Sequence, residues 1–132
     1  LGRLAARLGV AGRVDLEGFA AAPRLAALRA GARAVLVPSL KEGFGLPVLE
    51  GLAAGVPVLA SDTPALREVG GEAATYLPPT DPGAWAAALA HLAGDADARA
   101  RAAVEGPRRA ERFTWAATAR GVADAYAEAL EG

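Results

Sequence analysis

Leu1, Leu4 and Leu8 recur at helical spacing and stop at Gly9, which predicts the tail of an amphipathic helix. Arg13-Val14-Asp15-Leu16-Glu17 alternates polar and apolar residues before Gly18, the pattern of a short strand. Pro23 to Ala30 carries Leu25 and Leu28 and meets Gly31, which reads as a helix with its C-terminal glycine. Ala34-Val35-Leu36-Val37 is apolar without alternation as far as Pro38-Ser39 and suits a strand buried on both faces.

A glycine-rich turn, Glu42-Gly43-Phe44-Gly45, then leads into a helix that opens with Leu46-Pro47 and stops at Gly55. Val56-Pro57-Val58-Leu59-Ala60 predicts another buried strand. Thr63-Pro64 sets a capping residue before a proline at the first helical position. Thr75-Tyr76-Leu77 is a weaker strand. Asp81-Pro82 starts a helix to Leu92, a second helix spans Asp97 to Gly106, and a third follows Thr114. On that last helix Trp115, Ala119, Val122 and Tyr126 form an apolar stripe whose simplest use is core. Strands alternating with helices predict an α/β fold, a Rossmann-like parallel sheet flanked by helices, with residues 1–132 as a single domain.

Composition narrows the function classes. A net charge of −1 over 132 residues argues against an electrostatic nucleic-acid binder. The absence of cysteine removes disulfides, thiolate metal sites and a thiol nucleophile. No apolar run approaches the ~20 residues of a membrane span, and no signal peptide is recognisable. The expectation is therefore a cytoplasmic domain. Ile, Asn, Gln and Met are missing too, which suits a thermophile or, at least as well, a GC-rich codon bias.

The loop after Val37 holds the most distinctive chemistry. Ligands of open parallel sheets bind beyond the carboxyl ends of the strands, where loops feed helix N-termini. Gly43 and Gly45 let the backbone approach a ligand, and the following helix presents orphan amides and a positive dipole end to an anion. Pro47 has no N–H, so the donors fall to Gly43, Phe44, Gly45 and Leu46, with Val48 as a further candidate. No P-loop lysine motif is present. Two carboxylates, Glu42 and Glu50, bracket this loop as candidate acceptors for sugar hydroxyls. Glu50 reads equally well as a side chain stabilised by the helix dipole, whereas Glu42, beside two glycines, leans towards function.

The run Pro38-Ser39-Leu40-Lys41-Glu42-Gly43-Phe44-Gly45-Leu46-Pro47-Val48-Leu49-Glu50 resembles the signature of retaining glycosyltransferases of family 4, which have the two-domain GT-B fold. The resemblance continues through Gly55-Val56-Pro57-Val58, Leu66-Arg67-Glu68-Val69, Gly70-Gly71-Glu72-Ala73, Asp81-Pro82 and Phe113-Thr114-Trp115, in order along nearly the whole chain. It implies that Glu42 faces the donor sugar near its anomeric centre and is the catalytic residue. It implies that Gly43, Phe44, Gly45 and Leu46 contact sugar and diphosphate, that Glu50 holds the ribose, and that Gly18-Phe19-Ala20 flanks the nucleobase. Neither metal nor other cofactor is implied; the nucleoside diphosphate sugar is a substrate. Glu68 matches a recurring position and is read as structural.

The departures from the family pattern shape the remaining expectations. The two strands and the arginine- and lysine-bearing diphosphate loop that open the family's donor half are not matched, nor is its acceptor-binding N-terminal domain. The chain is expected to be an incomplete, N-terminally truncated C-terminal half of such an enzyme, inactive alone. The whole enzyme, cytoplasmic or peripheral at the inner membrane face, would move a hexose, mannose among the candidates, from a nucleoside diphosphate sugar to an acceptor. The alternatives are a nucleotide-sugar epimerase or phosphorylase of the same fold, or a non-catalytic fragment that binds nucleotide or self-associates. With two strands missing, Val35–Val37 becomes a free sheet edge. The favoured outcome is that Arg13–Glu17 slides in beside Val35 and Val37; pairing with a second copy, or aggregation, is the alternative. His91, mid-helix, is read as a surface or packing residue, Lys41 as a solvated cation, and Arg99, Arg101, Arg108, Arg109 and Arg112 as a solvated helical face.

Overall fold

Three parallel strands in the order β1-β2-β3 make the sheet: β1 (Val35–Val37), β2 (Val58–Ser61) and β3 (Ala74–Leu77). Leu36 pairs with Leu59 and Leu59 with Thr75, so the three strands run in simple register. The computed structural model describes residues 1–131. The described residues form seven helices: α1 (Gly2–Arg7), α2 (Ala22–Ala30), α3 (Leu46–Ala53), α4 (Pro64–Gly70), α5 (Pro82–Gly94), α6 (Ala96–Ala110) and α7 (Trp115–Glu131). Proline lies in the first turn of α2, α3, α4 and α5, where its missing N–H has no intrahelical partner to lose.

The core forms where the two crossover helices lie on one face of β2. Val37, Val48, Leu52, Val58, Ala60, Leu66 and Val69 are buried together. Leu59 and Ser61 are also buried, so β2 is covered on both faces, as the apolar run Val58–Ala60 predicts. Close approach is built in with glycine. A Cβ on Gly51 of α3 would lie 2.8 Å from Val58 Cγ2, and one on Gly106 of α6 would lie 2.6 Å from the Leu52 carbonyl oxygen. The helix expected to end at Gly106 runs on through Pro107 to Ala110, because Gly106 serves helix packing rather than termination.

Four further expectations about the elements are corrected. The strand expected at Val56–Ala60 begins at Val58: Pro57 has no N–H to give the ladder, and its carbonyl accepts from Val35 at 2.9 Å. Arg13–Glu17 forms no strand and does not slide beside Val35 and Val37. Arg13 ends a short 3-10 turn, Ala11–Arg13. The following residues are tied to the helices before and after them: Leu16 packs near Gly2 of α1, and Glu17 accepts from Arg24 Nε of α2 at 2.6 Å. Val14 and Leu16 stay exposed, and among the described residues the outer edge of β1 pairs with no strand. Nor is the stripe of α7 core, since Trp115 is 90% exposed and Val122 and Tyr126 also face solvent. Finally, Thr63 does stand at the N-terminus of α4, but its side chain makes no capping bond and its Oγ1 is buried without a partner.

Candidate functional site

The carboxyl end of β1 delivers the chain through Pro38 into the glycine-rich loop and then into α3. Gly45 is the residue before the first turn of that helix, with φ 103° and ψ 41°, a conformation that favours glycine. It is buried, and a Cβ there would lie 2.7 Å from Leu66 Cδ2 and 4.0 Å from Glu42 Cγ. The loop thus rests directly on a core residue, with Glu42 folded back over it.

Its backbone donors point to an anion. The N–H groups of Gly43, Phe44, Gly45 and Leu46 make no backbone–backbone hydrogen bond among the described residues. Val48 is not a donor to a ligand: its N–H goes to the Gly45 carbonyl at 2.9 Å. Four amides at the positive end of a helix provide what a phosphate or other anion needs. The ring of Phe44 packs edge-on to Phe113, with centroids 5.8 Å apart and planes at 82°, so its side chain anchors the loop while its backbone faces the site.

The two glutamates differ in surroundings. Glu42 is half-buried beside Gly45. Glu50, one turn further along α3, is exposed and its Oε2 accepts a hydrogen bond from Nη2 of Arg29 on α2. Lys41 is exposed, as expected of a loop cation. At the remaining candidate position Gly18 has φ 65° and Phe19 is 96% exposed, so the Gly18-Phe19-Ala20 turn builds no packed wall with the loop.

Several supporting residues escaped the sequence reading. Arg109 is no solvated cation. It donates to the carbonyls of Glu68 and of Val69, the latter at 2.9 Å, and its guanidinium lies 5.2 Å from the centre of the Phe113 ring. It thereby ties the end of α4 to the residue that holds Phe44. Arg101 is likewise paired, with Asp95 at 3.5 Å. Arg67 grips Asp62, Nη2 to Oδ2 at 2.9 Å, and covers the Tyr76 ring at 4.6 Å. That hydrogen bond holds the Asp62 carboxyl below its ordinary range, while burial pushes the Tyr76 hydroxyl up. The Tyr76 hydroxyl donates to the Gly71 carbonyl at 2.8 Å. Only opposite charges on neighbouring elements hinted at such pairs in the sequence.

His91 is exposed, 3.8 Å from Asp95. Among the described residues no three His, Asp or Glu side chains gather as a metal site, and no helix is long and apolar enough to cross a membrane.

Comparison with known proteins converges on one family. The sequence profile described as "Glycosyl transferases group 1" matches residues 1–95. A D-inositol 3-phosphate glycosyltransferase of Thermobispora bispora is 43% identical over 99% of this chain and 31% of its own length. An MMP alpha-(1->4)-mannosyltransferase of Mycolicibacterium hassiacum is 36% identical over 97% of this chain and 32% of its own. The structure of sucrose-phosphate synthase from Thermosynechococcus elongatus superimposes with a TM-score of 0.85 at 28% identity, over 98% of this chain and 33% of that one. The chain therefore spans about a third of the length of these relatives.

Proposed function

The chain belongs to the group 1 glycosyltransferases, and from that footing we propose that it carries the donor-binding part of a hexosyltransferase. The full-length enzyme transfers a hexose from a nucleoside diphosphate sugar to an acceptor held elsewhere in the protein. It retains the anomeric configuration, needs no metal, and works in the cytoplasm, peripherally at the inner membrane face. Mannose is the favoured hexose, since one of the relatives is named a mannosyltransferase.

One observation carries the proposal. Four backbone amides with no backbone acceptor lie at the N-terminus of α3, on a loop shaped by Gly45 and bracketed by Glu42 and Glu50. An anion at these amides would leave a carboxylate on either side as acceptors for hydroxyls. In this arrangement Gly43 and Phe44 meet the sugar, Gly45 and Leu46 the diphosphate, and Glu50 the ribose. Glu42 stabilises charge as the glycosidic bond to the leaving diphosphate breaks. Preorganised donors and charges of this kind are commonly the largest catalytic contribution. Gly18, Phe19 and Ala20 flank the base only when other parts of the protein or the ligand itself close over that exposed turn.

The names of the relatives do not favour an epimerase or a phosphorylase. Self-association along the outer edge of β1 belongs to the same proposal for the chain on its own, and light scattering reads it directly. The test of function is a product assay. Full-length protein is incubated with GDP-mannose, and separately with UDP-glucose, and an acceptor panel. Sugar transferred with an α linkage supports the proposal. Epimerised nucleotide sugar, or phosphate-dependent release of sugar phosphate, contradicts it.

A further inference from the structure

We propose that Arg29 is a positioning residue that holds the Glu50 carboxylate ready for a ribose diol, an inference that rests on the reading of Glu50 given above. Arg29 lies in the last turn of α2 and reaches Glu50 in the second turn of α3, across the whole of β1 in sequence. Its side chain is only 19% exposed, whereas Glu50 is 43% exposed. The other arginine–carboxylate pairs, Arg24–Glu17, Arg67–Asp62 and Arg101–Asp95, join residues no more than seven apart and leave each arginine more than half exposed. Arg29 alone among them gives up most of its hydration to reach a carboxylate on another helix, α3, the helix that the glycine-rich loop leads into.

Two physical consequences follow. An exposed glutamate on a helix samples several rotamers, and a ligand that needs one of them must order it. A guanidinium fixed by burial holds one carboxylate oxygen in advance, which lowers that cost. Oε2 is engaged by Arg29, and the carboxylate has about four acceptor positions, so Oε1 stays open to vicinal hydroxyls. The guanidinium also offsets a negative charge that would otherwise repel the diphosphate at the same helix end.

The test uses the full-length protein and calorimetric titration with GDP and UDP and with their 2′,3′-dideoxy counterparts. Arg29→Met keeps the buried apolar stem and removes the charge; Arg29→Lys keeps the charge and loses the planar fork. With whichever ribonucleotide binds wild type more tightly, Arg29→Met should weaken binding about 5- to 30-fold, a part of the loss expected when the charge-assisted hydrogen bond to the ribose is itself removed. The dideoxy analogue should lose much less, Arg29→Lys should recover part of the loss, and adding Arg29→Met to Glu50→Gln should cost little more. Equal losses for ribo- and dideoxynucleotides would reduce Arg29 to a structural tie and overturn the proposal. So would unchanged or tighter ribonucleotide binding by Arg29→Met while Glu50→Gln shows its ribose-dependent loss. If Glu50→Gln itself shows no such dependence, the reading of Glu50 fails first and this proposal with it.

Discussion

Gly45 passes so close to Leu66 that a Cβ on Gly45 would lie 2.7 Å from Leu66 Cδ2. Leu66, on the crossover helix α4, is fully buried in the core between that helix and the sheet. The glycine that shapes the loop before α3 is therefore seated on the core, and the two cannot be altered independently. Packing fixes the loop's height above the sheet, and φ 103° at Gly45 fixes the direction in which the chain enters α3.

Gly45→Ala should combine a strained backbone with overpacking against Leu66. Left-handed geometry costs a non-glycine residue about 1–2 kcal/mol, and forced methyl groups in packed cores cost about 1–3 kcal/mol. Urea denaturation should show a loss within the sum of those ranges, together with weaker nucleoside diphosphate binding. Unchanged stability would mean that the loop is not seated on Leu66.

Gly106→Ala tests the contact between α6 and α3. Helix propensity alone favours alanine over glycine by about 1 kcal/mol. A methyl 2.6 Å from the Leu52 carbonyl oxygen must instead push the helices apart. The net change should be destabilising, by up to about 2 kcal/mol after the propensity gain. A stabilised variant would show that α6 does not lie as close to α3 as described.

Acid should remove one helix cap. Asp95 Oδ1 accepts the Ala98 N–H at 2.8 Å, and that hydrogen bond, with smaller help from Arg101 and His91, holds the carboxyl below its ordinary range. A depressed carboxylate stabilises the fold above its unfolded value, and the contribution disappears as pH falls through the folded value. Asp95→Ala should therefore lower the urea midpoint at neutral pH. The gap from wild type should narrow below about pH 4 and close in stronger acid. A gap that does not change with pH would show that the carboxylate charge is not what caps the helix.

Glu50→Gln probes the proposed nucleotide end of the site. Losing a charge-assisted hydrogen bond costs about 1.5–3 kcal/mol, or roughly 10- to 150-fold in dissociation constant. Nucleoside diphosphate and sugar nucleotide should both bind more weakly, while 2′,3′-dideoxy analogues keep their affinity. Uniform losses would leave Glu50 as a support for α3.

The sheet and its crossovers were legible because their signals are local. Val35–Val37, the apolar run Val58–Ala60 of β2 and the prolines in the first turns of α2, α3, α4 and α5 each mark an element without help from distant residues. The loop from Glu42 to Leu46 was legible for the same reason, since glycines beside a proline-started helix restrict what the backbone can do. Errors fell where a partner decides the outcome. Leu16 alternates like a strand residue, yet it packs near α1 and never meets β1. Trp115 and Tyr126 share a helical face like core residues, and that face is exposed. Arg109 read as part of a solvated helical face and Arg29 carried no signal at all; only the fold brings Arg29 to Glu50 and Arg109 to the Val69 carbonyl. Periodicity reports a face, not what covers it.

The central claim is that Glu42 acts at the sugar end of a donor site whose nucleotide end is held elsewhere on the same loop and helix. Measuring Glu42→Ala in the full-length enzyme, for both steady-state turnover and calorimetric binding of free nucleoside diphosphate, tests this most directly. Turnover should fall by at least ~10²-fold, the scale of losing one preorganised stabilising group, while nucleoside diphosphate binds as in wild type. Normal turnover, or a loss of turnover matched by an equal loss of nucleoside diphosphate affinity, would contradict it.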